Sequence, residues 1–213
     1  SYDITPELVW MIYEGKDITN EKFIFPDFLF LKSFMDGELD CDKMDYLLRD
    51  SLYCGVTYGK YDLDRFVSTL TAYKHNNQLQ LAIERGGVQA LEEFVLARYF
   101  MFIQVYFHKT RRYLDKVLVK GLKAVLPNGK YPDTTSEYLK WDDTRILNLI
   151  AESENDDVMA FKKRKIMTCV LESKAHSGTA DKINARMIFN ILKKEYRDRV
   201  VFDSVDKTAH KLT

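Results

Sequence analysis

Between residues 42 and 50 the sequence reads Asp-Lys-Met-Asp-Tyr-Leu-Leu-Arg-Asp. Placed on a helix at roughly 100° per residue, Asp42, Tyr46 and Asp50 fall within about 80° of one another, with Lys43 beside them. Met44, Leu47, Leu48 and Leu52 take the opposite side as a core stripe. The outer face then presents two carboxylates, an ammonium and a phenol. Asp42 lies in the first turn, where the helix N-terminus stabilises an anion and keeps its oxygens ready for a cation. A tyrosine between two carboxylates at four-residue spacing suits a hydroxyl-bearing ligand. The same pattern also describes an ordinary solvated face, with Asp45 and Arg49 pairing on the flank for a few tenths of a kcal/mol.

The surrounding chain supplies the elements that must hold this face. Nine glycines and four prolines in 213 residues are roughly half the usual share of about 12%, so long helices with few turns are expected. Thr5-Pro6-Glu7 reads as a helix start, with Leu8, Val9, Met11 and Ile12 on its apolar face and Gly15 as its stop. A short helix follows from Phe25-Pro26 and carries Phe28, Leu29, Leu31 and Phe34 to Gly37. The patterned helix then runs from Glu38 to about Tyr53. Asp62 to Leu70 reads as another helix. Thr71–Tyr73 and Gln78–Ile83 read as a hairpin across His75-Asn76-Asn77, since Asn tolerates positive φ.

Beyond Gly86-Gly87 a helix is predicted from Val88 to about Val125, roughly 57 Å if straight and therefore a place for a kink. Arg98 and Lys109 would lie about 20° apart on it and could face one anion, guanidinium for bidentate contact and ammonium for point charge. Surface cations on a long helix are the alternative. The aromatic run Phe94, Tyr99, Phe100, Phe102 and Tyr106 reads as core, with a subunit interface as the alternative. Pro127-Asn128-Gly129 and Pro132 form a linker between a body at 1–126 and a small helical subdomain at 133–213. In the subdomain, Thr135/Ser136, Asp142/Asp143 and Asp156/Asp157 read as N-caps, 179–195 as a last helix and Val200–Phe202 as a strand. The fold class is mainly α, with one small β element.

These residues resemble a known family. Asp42–Asp50 followed by Gly55-Val56, then Tyr61-Asp62-Leu63-Asp64-Arg65, the hairpin, Arg98 and Tyr106-Phe107-His108-Lys109 are similar to the HD-domain dNTP triphosphohydrolases over roughly residues 5–125. The resemblance implies an HD-phosphohydrolase body with a long central helix, turning a dNTP into deoxynucleoside and triphosphate. It implies that Asp42 completes the metal site, that Lys43 and Arg98 contact phosphate, and that Tyr46, Asp50 and Tyr106 surround the sugar and base. It also implies that Arg65, His108 and Lys109 match an effector-nucleotide site. Phe107, Glu84 and Gly86 depart from the vertebrate member, which has Gln, Arg and Lys there, leaving base preference and nucleotide activation open.

Members of that family bind a divalent metal through an upstream histidine, a His-Asp doublet and the late aspartate, and the ion activates a water. This sequence has no His-Asp pair, and His75, His108, His176 and His210 all follow Asp42. One carboxylate is a poor cage for a metal. The chain therefore reads as the portion of such an enzyme that lacks its N-terminal metal ligands, a reading the initial Ser1 also suggests, and as inactive alone. The alternative is a non-catalytic helical module that binds nucleotide or serves oligomerisation or regulation.

Composition narrows the classes further. Thirty-two basic residues balance 32 acidic ones, which argues against a dedicated nucleic-acid binder or a polybasic membrane anchor. The clusters Lys109-Arg111-Arg112, Lys162–Lys165 and Lys193-Lys194 read as solvated helix faces. No apolar run reaches the roughly 18 residues of a membrane span. Cys41, Cys54 and Cys169 are odd in number and scattered, arguing against a disulfide framework or zinc site. Cys41 and Cys54 read as small buried fillers, and a reducing cytoplasm is the expected setting. Expected partners are a dNTP, the absent HD segment and further copies of the same chain.

Overall fold

A computed structural model describes residues 5–14, 30–76, 78–173 and 178–204. The chain is mainly helical, as its glycine and proline usage predicts, with ten helices and a two-stranded antiparallel sheet among the described residues. It divides into two compact units, one up to Val105 and one from Tyr106.

The first unit opens with α1 (Pro6–Glu14). Ile12 is its buried residue, packed by Met11 and Leu31. The predicted short helix from Phe25 lies mostly outside the described residues; its described end is a turn at Phe30-Leu31 followed by α2 (Lys32–Met35). Helix α3 (Cys41–Tyr53) starts three residues later than predicted, because Asp40 is its N-cap: the Asp40 carboxylate accepts from the Lys43 amide at 2.7 Å. The inward face of α3 is Met44, Leu47 and Ser51, a spacing of three and four that is a helical core stripe. Leu52, predicted on that stripe, is instead 74% exposed. Ser51 takes the core position because its hydroxyl is satisfied: Oγ donates to the Val56 carbonyl at 2.6 Å and accepts from the Gly59 amide at 3.3 Å. A Cβ at Gly59 would sit 2.2 Å from the Leu47 carbonyl oxygen, so only glycine lets this loop close on α3.

Helix α4 (Leu63–Ser68) is capped by Asp62, which accepts from the Arg65 amide at 2.9 Å. Strands β1 (Leu70–His75) and β2 (Gln78–Ile83) pair in register from Leu70 with Ile83 to His75 with Gln78. This is the predicted hairpin, and Asn76 has φ +47° at its turn. Helix α5 (Val88–Met101) then buries Ala90, Phe94, Ala97 and Met101. The core of the unit is aromatic. Phe66 and Phe94 are stacked with centroids 5.1 Å apart, and Tyr61 meets both edge-on at 6.1 and 5.2 Å.

The predicted continuous helix from Val88 to Val125 is broken. After α5 the chain widens into a π-helical turn at Phe102–Tyr106, and α6 (Lys109–Val125) restarts after His108, whose ψ is 131°. The His108 ring nitrogen Nδ1 accepts from the Thr110 amide at 3.3 Å. His108 is thus an N-cap, a role in which a side chain satisfies an otherwise orphaned amide. Arg98 and Lys109 therefore do not share one helix.

In the second unit α6 packs on α8 (Asp143–Glu152) and α9 (Asp156–Lys162). Val117, Leu126, Ile150 and Val158 are buried there, and Gly121 lets α6 approach Val158 closely. The short α7 (Thr135–Tyr138) follows Thr134, so the cap lies one residue before the predicted pair. Asp142 caps α8 as predicted, accepting from the Arg145 amide at 2.8 Å. Asn155, rather than Asp156 or Asp157, caps α9. Helix α10 (Thr179–Tyr196) ends in a tight turn at Arg197–Arg199. The predicted strand at Val200–Phe202 is extended but unpaired among the described residues; Phe202 packs instead on Phe189 at 5.2 Å, with the Arg186 guanidinium 4.9 Å from its ring centre.

Candidate functional site

The outward face of α3 and the last turn of α5 meet in the first unit. Asp42 is exposed in the first turn of α3, while Lys43, Tyr46 and Asp50 are half-buried along it. Arg98, in the last turn of α5, is only 14% exposed. Its Nη1 donates to Glu38 Oε2 at 2.8 Å, and its guanidinium is hydrogen-bonded to the Tyr46 side chain. Its Nε is buried and makes no hydrogen bond within the described residues. Arg98 also lies over Phe102, 5.6 Å from the ring centre. The site is therefore a guanidinium held between a carboxylate and a phenol, with one donor unused.

Two side chains that sequence reasoning did not single out shape this site. Glu38 precedes α3 by three residues and lies 60 positions from Arg98, so no local spacing reveals their pairing. Asp40 pairs with the Lys43 ammonium while also capping α3. The residue type was legible as an N-cap; the pairing was not. Lys43 Nζ also donates to the Gly37 carbonyl at 2.7 Å. Both cations assigned to phosphate by resemblance are thus engaged by one short segment, residues 37–40.

Burial pushes the Tyr46 phenol above its usual pKa. The adjacent Arg98 charge opposes this, whereas Asp40 and Asp42 reinforce it. Tyr46 is accordingly a neutral hydroxyl at physiological pH, able to donate or accept. Behind it, Tyr61 Oη donates to the Met44 carbonyl at 2.8 Å, fastening the α3–α4 loop to α3. Burial, followed by the Asp45 charge, pushes Tyr61 up to about 12.

The other predicted site residues lie elsewhere. Tyr106 closes the π-helical turn and opens the second unit; its carbonyl accepts from Arg111 Nη1 at 2.6 Å. Arg65, in the first unit, donates from Nε and Nη2 to the Gly86 carbonyl at 3.2 and 2.8 Å. In the second unit His108 caps α6, and Lys109 pairs with Glu172 at 2.8 Å, a hydrogen bond that raises its pKa. Besides Lys109 and Arg111, two further members of the basic clusters have structural partners. Arg112 grips Asp203 through two contacts of 2.8 and 3.0 Å, and Lys162 donates to the Ala151 carbonyl at 2.6 Å near the end of α8. Cys41 and Cys54, predicted buried, are exposed, as is Cys169.

No three His, Cys, Asp or Glu side chains come together as a metal site among the described residues. Asp42 offers a single exposed carboxylate. Such a donor set does not fit a divalent cation, which needs several oxygen or imidazole ligands at once.

A family model described as HD associated region matches residues 61–200. The chain belongs to that family. The matched region starts at Tyr61 and includes Arg65, Arg98, Tyr106, His108 and Lys109, while the α3 residues precede it. The HD-associated chain is 31% identical to the uncharacterized protein MJ1154 of Methanocaldococcus jannaschii over 121 residues, 57% of this chain and 26% of that protein. It is 37% identical to the uncharacterized protein YwfO of Bacillus subtilis over 90 residues, 42% of this chain and 20% of that protein. A putative HD domain-containing protein, L394 of Acanthamoeba polyphaga mimivirus, is 28% identical over 139 residues, covering 59% and 30% of the two chains.

The fold is that of a phosphohydrolase, BT4208, from Bacteroides thetaiotaomicron, with a TM-score of 0.60 at 24% identity over 89% of this chain and 51% of that one. The chain thus spans a fifth to a third of these relatives and half of the solved structure. The family match relates the chain to proteins with HD domains, and the solved phosphohydrolase shares its fold. No helix among the described residues is long and apolar enough to cross a membrane.

Proposed function

We propose that the HD-associated chain carries the nucleotide-holding part of a dNTP triphosphohydrolase, and that it does not turn over substrate without the HD segment. Arg98 and Lys43 would hold the triphosphate. Tyr46 and Asp50 would face the deoxyribose, and Asp42 would give one oxygen to a metal whose other ligands come from the HD segment. The observation that carries this reading is the Tyr46–Arg98–Glu38 cluster. A mostly buried guanidinium whose Nε has no partner among the described residues, next to a neutral phenol, supports a receptor for a phosphorylated, hydroxyl-bearing ligand.

What these residues can do without the metal is bind and orient. Arg98 supplies fixed positive charge in a partly desolvated setting, where a phosphate contact counts for more than in bulk water. Tyr46 is hydrogen-bonded to Arg98, which places a phenol beside the guanidinium. The test is to titrate the 213-residue chain with dGTP and assay triphosphate release in the presence of divalent metal. Binding without hydrolysis is expected, and Arg98→Ala should abolish the binding. Metal-dependent hydrolysis by the chain alone would overturn the proposed dependence on an HD segment, and failure to bind dGTP would overturn the nucleotide reading.

One observation favours a second reading, that of a regulatory or assembly module. The family match is to the region associated with HD domains. A regulatory module would bind dGTP tightly without turnover, whereas an assembly module would not bind dGTP and would assemble as protein concentration rises. A homo-oligomeric, cytoplasmic protein remains our expectation under either reading.

A further inference from the structure

The segment from Gly37 to Asp40 already does to the two proposed phosphate-binding cations what a phosphate would do. Glu38 neutralises Arg98, and Asp40 with the Gly37 carbonyl occupies Lys43. The two halves of the Arg98–Glu38 pair are held unequally. Arg98 is 14% exposed and anchored in α5, whereas Glu38 is 33% exposed and sits on a connection outside any helix. A single Nη1–Oε2 contact joins them, while Arg98 Nε stays unpaired among the described residues. A guanidinium has five N–H donors and its charge cannot be removed by deprotonation, so this one has unused donor capacity. Leaving it in a poorly hydrated place without an anion is costly. The anion is therefore the exchangeable partner and the cation the fixed one.

We infer that Glu38 is an internal stand-in for phosphate: it holds Arg98 when no nucleotide is bound and is displaced from it by the triphosphate, so that it sets the affinity of the site. This rests on the nucleotide reading of Arg98. Asp40 remains in place as the cap of α3. When Lys43 turns from the Gly37 carbonyl to phosphate, the segment bearing Glu38 loses one of its ties, which couples the two exchanges.

The test is calorimetric titration of the 213-residue chain, and of its Glu38→Gln and Glu38→Ala variants, with inorganic triphosphate and with dGTP. Both variants should bind both ligands roughly tenfold more tightly than the parent, a difference well within the range of such competition. Unchanged or weaker binding by variants of a parent that does bind would overturn the stand-in role and leave the nucleotide site intact. Absence of binding by parent and variants alike would refute the nucleotide reading, and this inference with it. A measurement on the unsubstituted chain guards against variants that fail to fold. The Glu38 side-chain carboxyl resonance should move to its solvent-exposed position on adding triphosphate, while the Arg98 guanidinium resonance shifts. A Glu38 resonance that stays put while ligand binds would overturn the exchange.

Discussion

Tyr61→Phe probes the latch that holds α3 against the aromatic core, and with it the surface on which Tyr46 meets Arg98. The phenylalanine ring keeps the edge-on contacts to Phe66 and Phe94 and removes only the hydroxyl that donates to the Met44 carbonyl. That carbonyl lies in the first turn of α3, where it retains its helical partner four residues on. The loss near neutral pH is therefore that of one neutral hydrogen bond, about 0.5–1.5 kcal/mol.

Alkaline solution reverses the comparison. Below pH 10 the Tyr61 phenol is neutral in both the folded and the unfolded chain, and its contribution is fully present. Between 10 and about 12 the unfolded phenol loses its proton while the folded one keeps it, so the parent loses stability across that window. Ionising two pH decades later in the folded chain corresponds to about 2.7 kcal/mol, which solvent reaching this half-buried ring reduces to about 1–2. Tyr61→Phe has nothing to lose there. Urea unfolding followed by circular dichroism should show the variant weaker at pH 8, with the two stabilities converging or crossing between 10 and 12. The other twelve of the 13 tyrosines are common to both proteins and cancel. Curves that stay parallel through this range, or a Tyr61 that ionises near 10 in the phenolate difference spectrum, would refute the burial argument.

Other perturbations read neighbouring parts of the same scaffold. Arg98→Lys keeps a charge but not the planar fork, and is expected to weaken dGTP binding at least tenfold; equal affinity by calorimetry would remove Arg98 from the phosphate site. Asp40→Ala removes the cap of α3 and the partner of Lys43, at about 1–2 kcal/mol by denaturant titration. Gly59→Ala forces a methyl against the Leu47 carbonyl and should cost several kcal/mol; a fully stable variant would contradict the close approach of loop and helix. Phe94→Ala empties the centre of the first core at about 3–5 kcal/mol, detectable as early loss of amide protection in α3 and α5.

The parts of this structure that the sequence made legible are those fixed by local chemistry. Asn76 marked the hairpin turn because an amide side chain tolerates the positive φ found there, and Asp62 and Asp142 stood where helices need a side-chain acceptor. Positions decided by distant groups were not legible in this way. Ser51 is polar by type, yet the Val56 carbonyl and the Gly59 amide make it a core residue, while apolar Leu52 is left outside. The break before α6 carries no Gly or Pro; His108 caps the new helix through its ring nitrogen, a use outside the preferred N-cap types. Val200–Phe202 has strand-forming residues, but a strand exists only where a second one is there to pair, and Phe202 found Phe189 instead.

The candidate site divides along the same line. That Asp42, Tyr46 and Asp50 share a helix face follows from periodicity, whereas the raised pKa of the Tyr46 phenol follows from its burial against neighbouring elements. The partner that closes the site, Glu38, lies 60 residues from Arg98, and only the packing of α3 against α5 brings them together. A carboxylate in that place has a definite consequence. A purely structural role would use both oxygens and leave no donor idle, because an unpaired polar atom in a buried place is a standing cost. Under the nucleotide reading, the Nε of Arg98, which has no partner among the described residues, is the donor that an oxyanion would take.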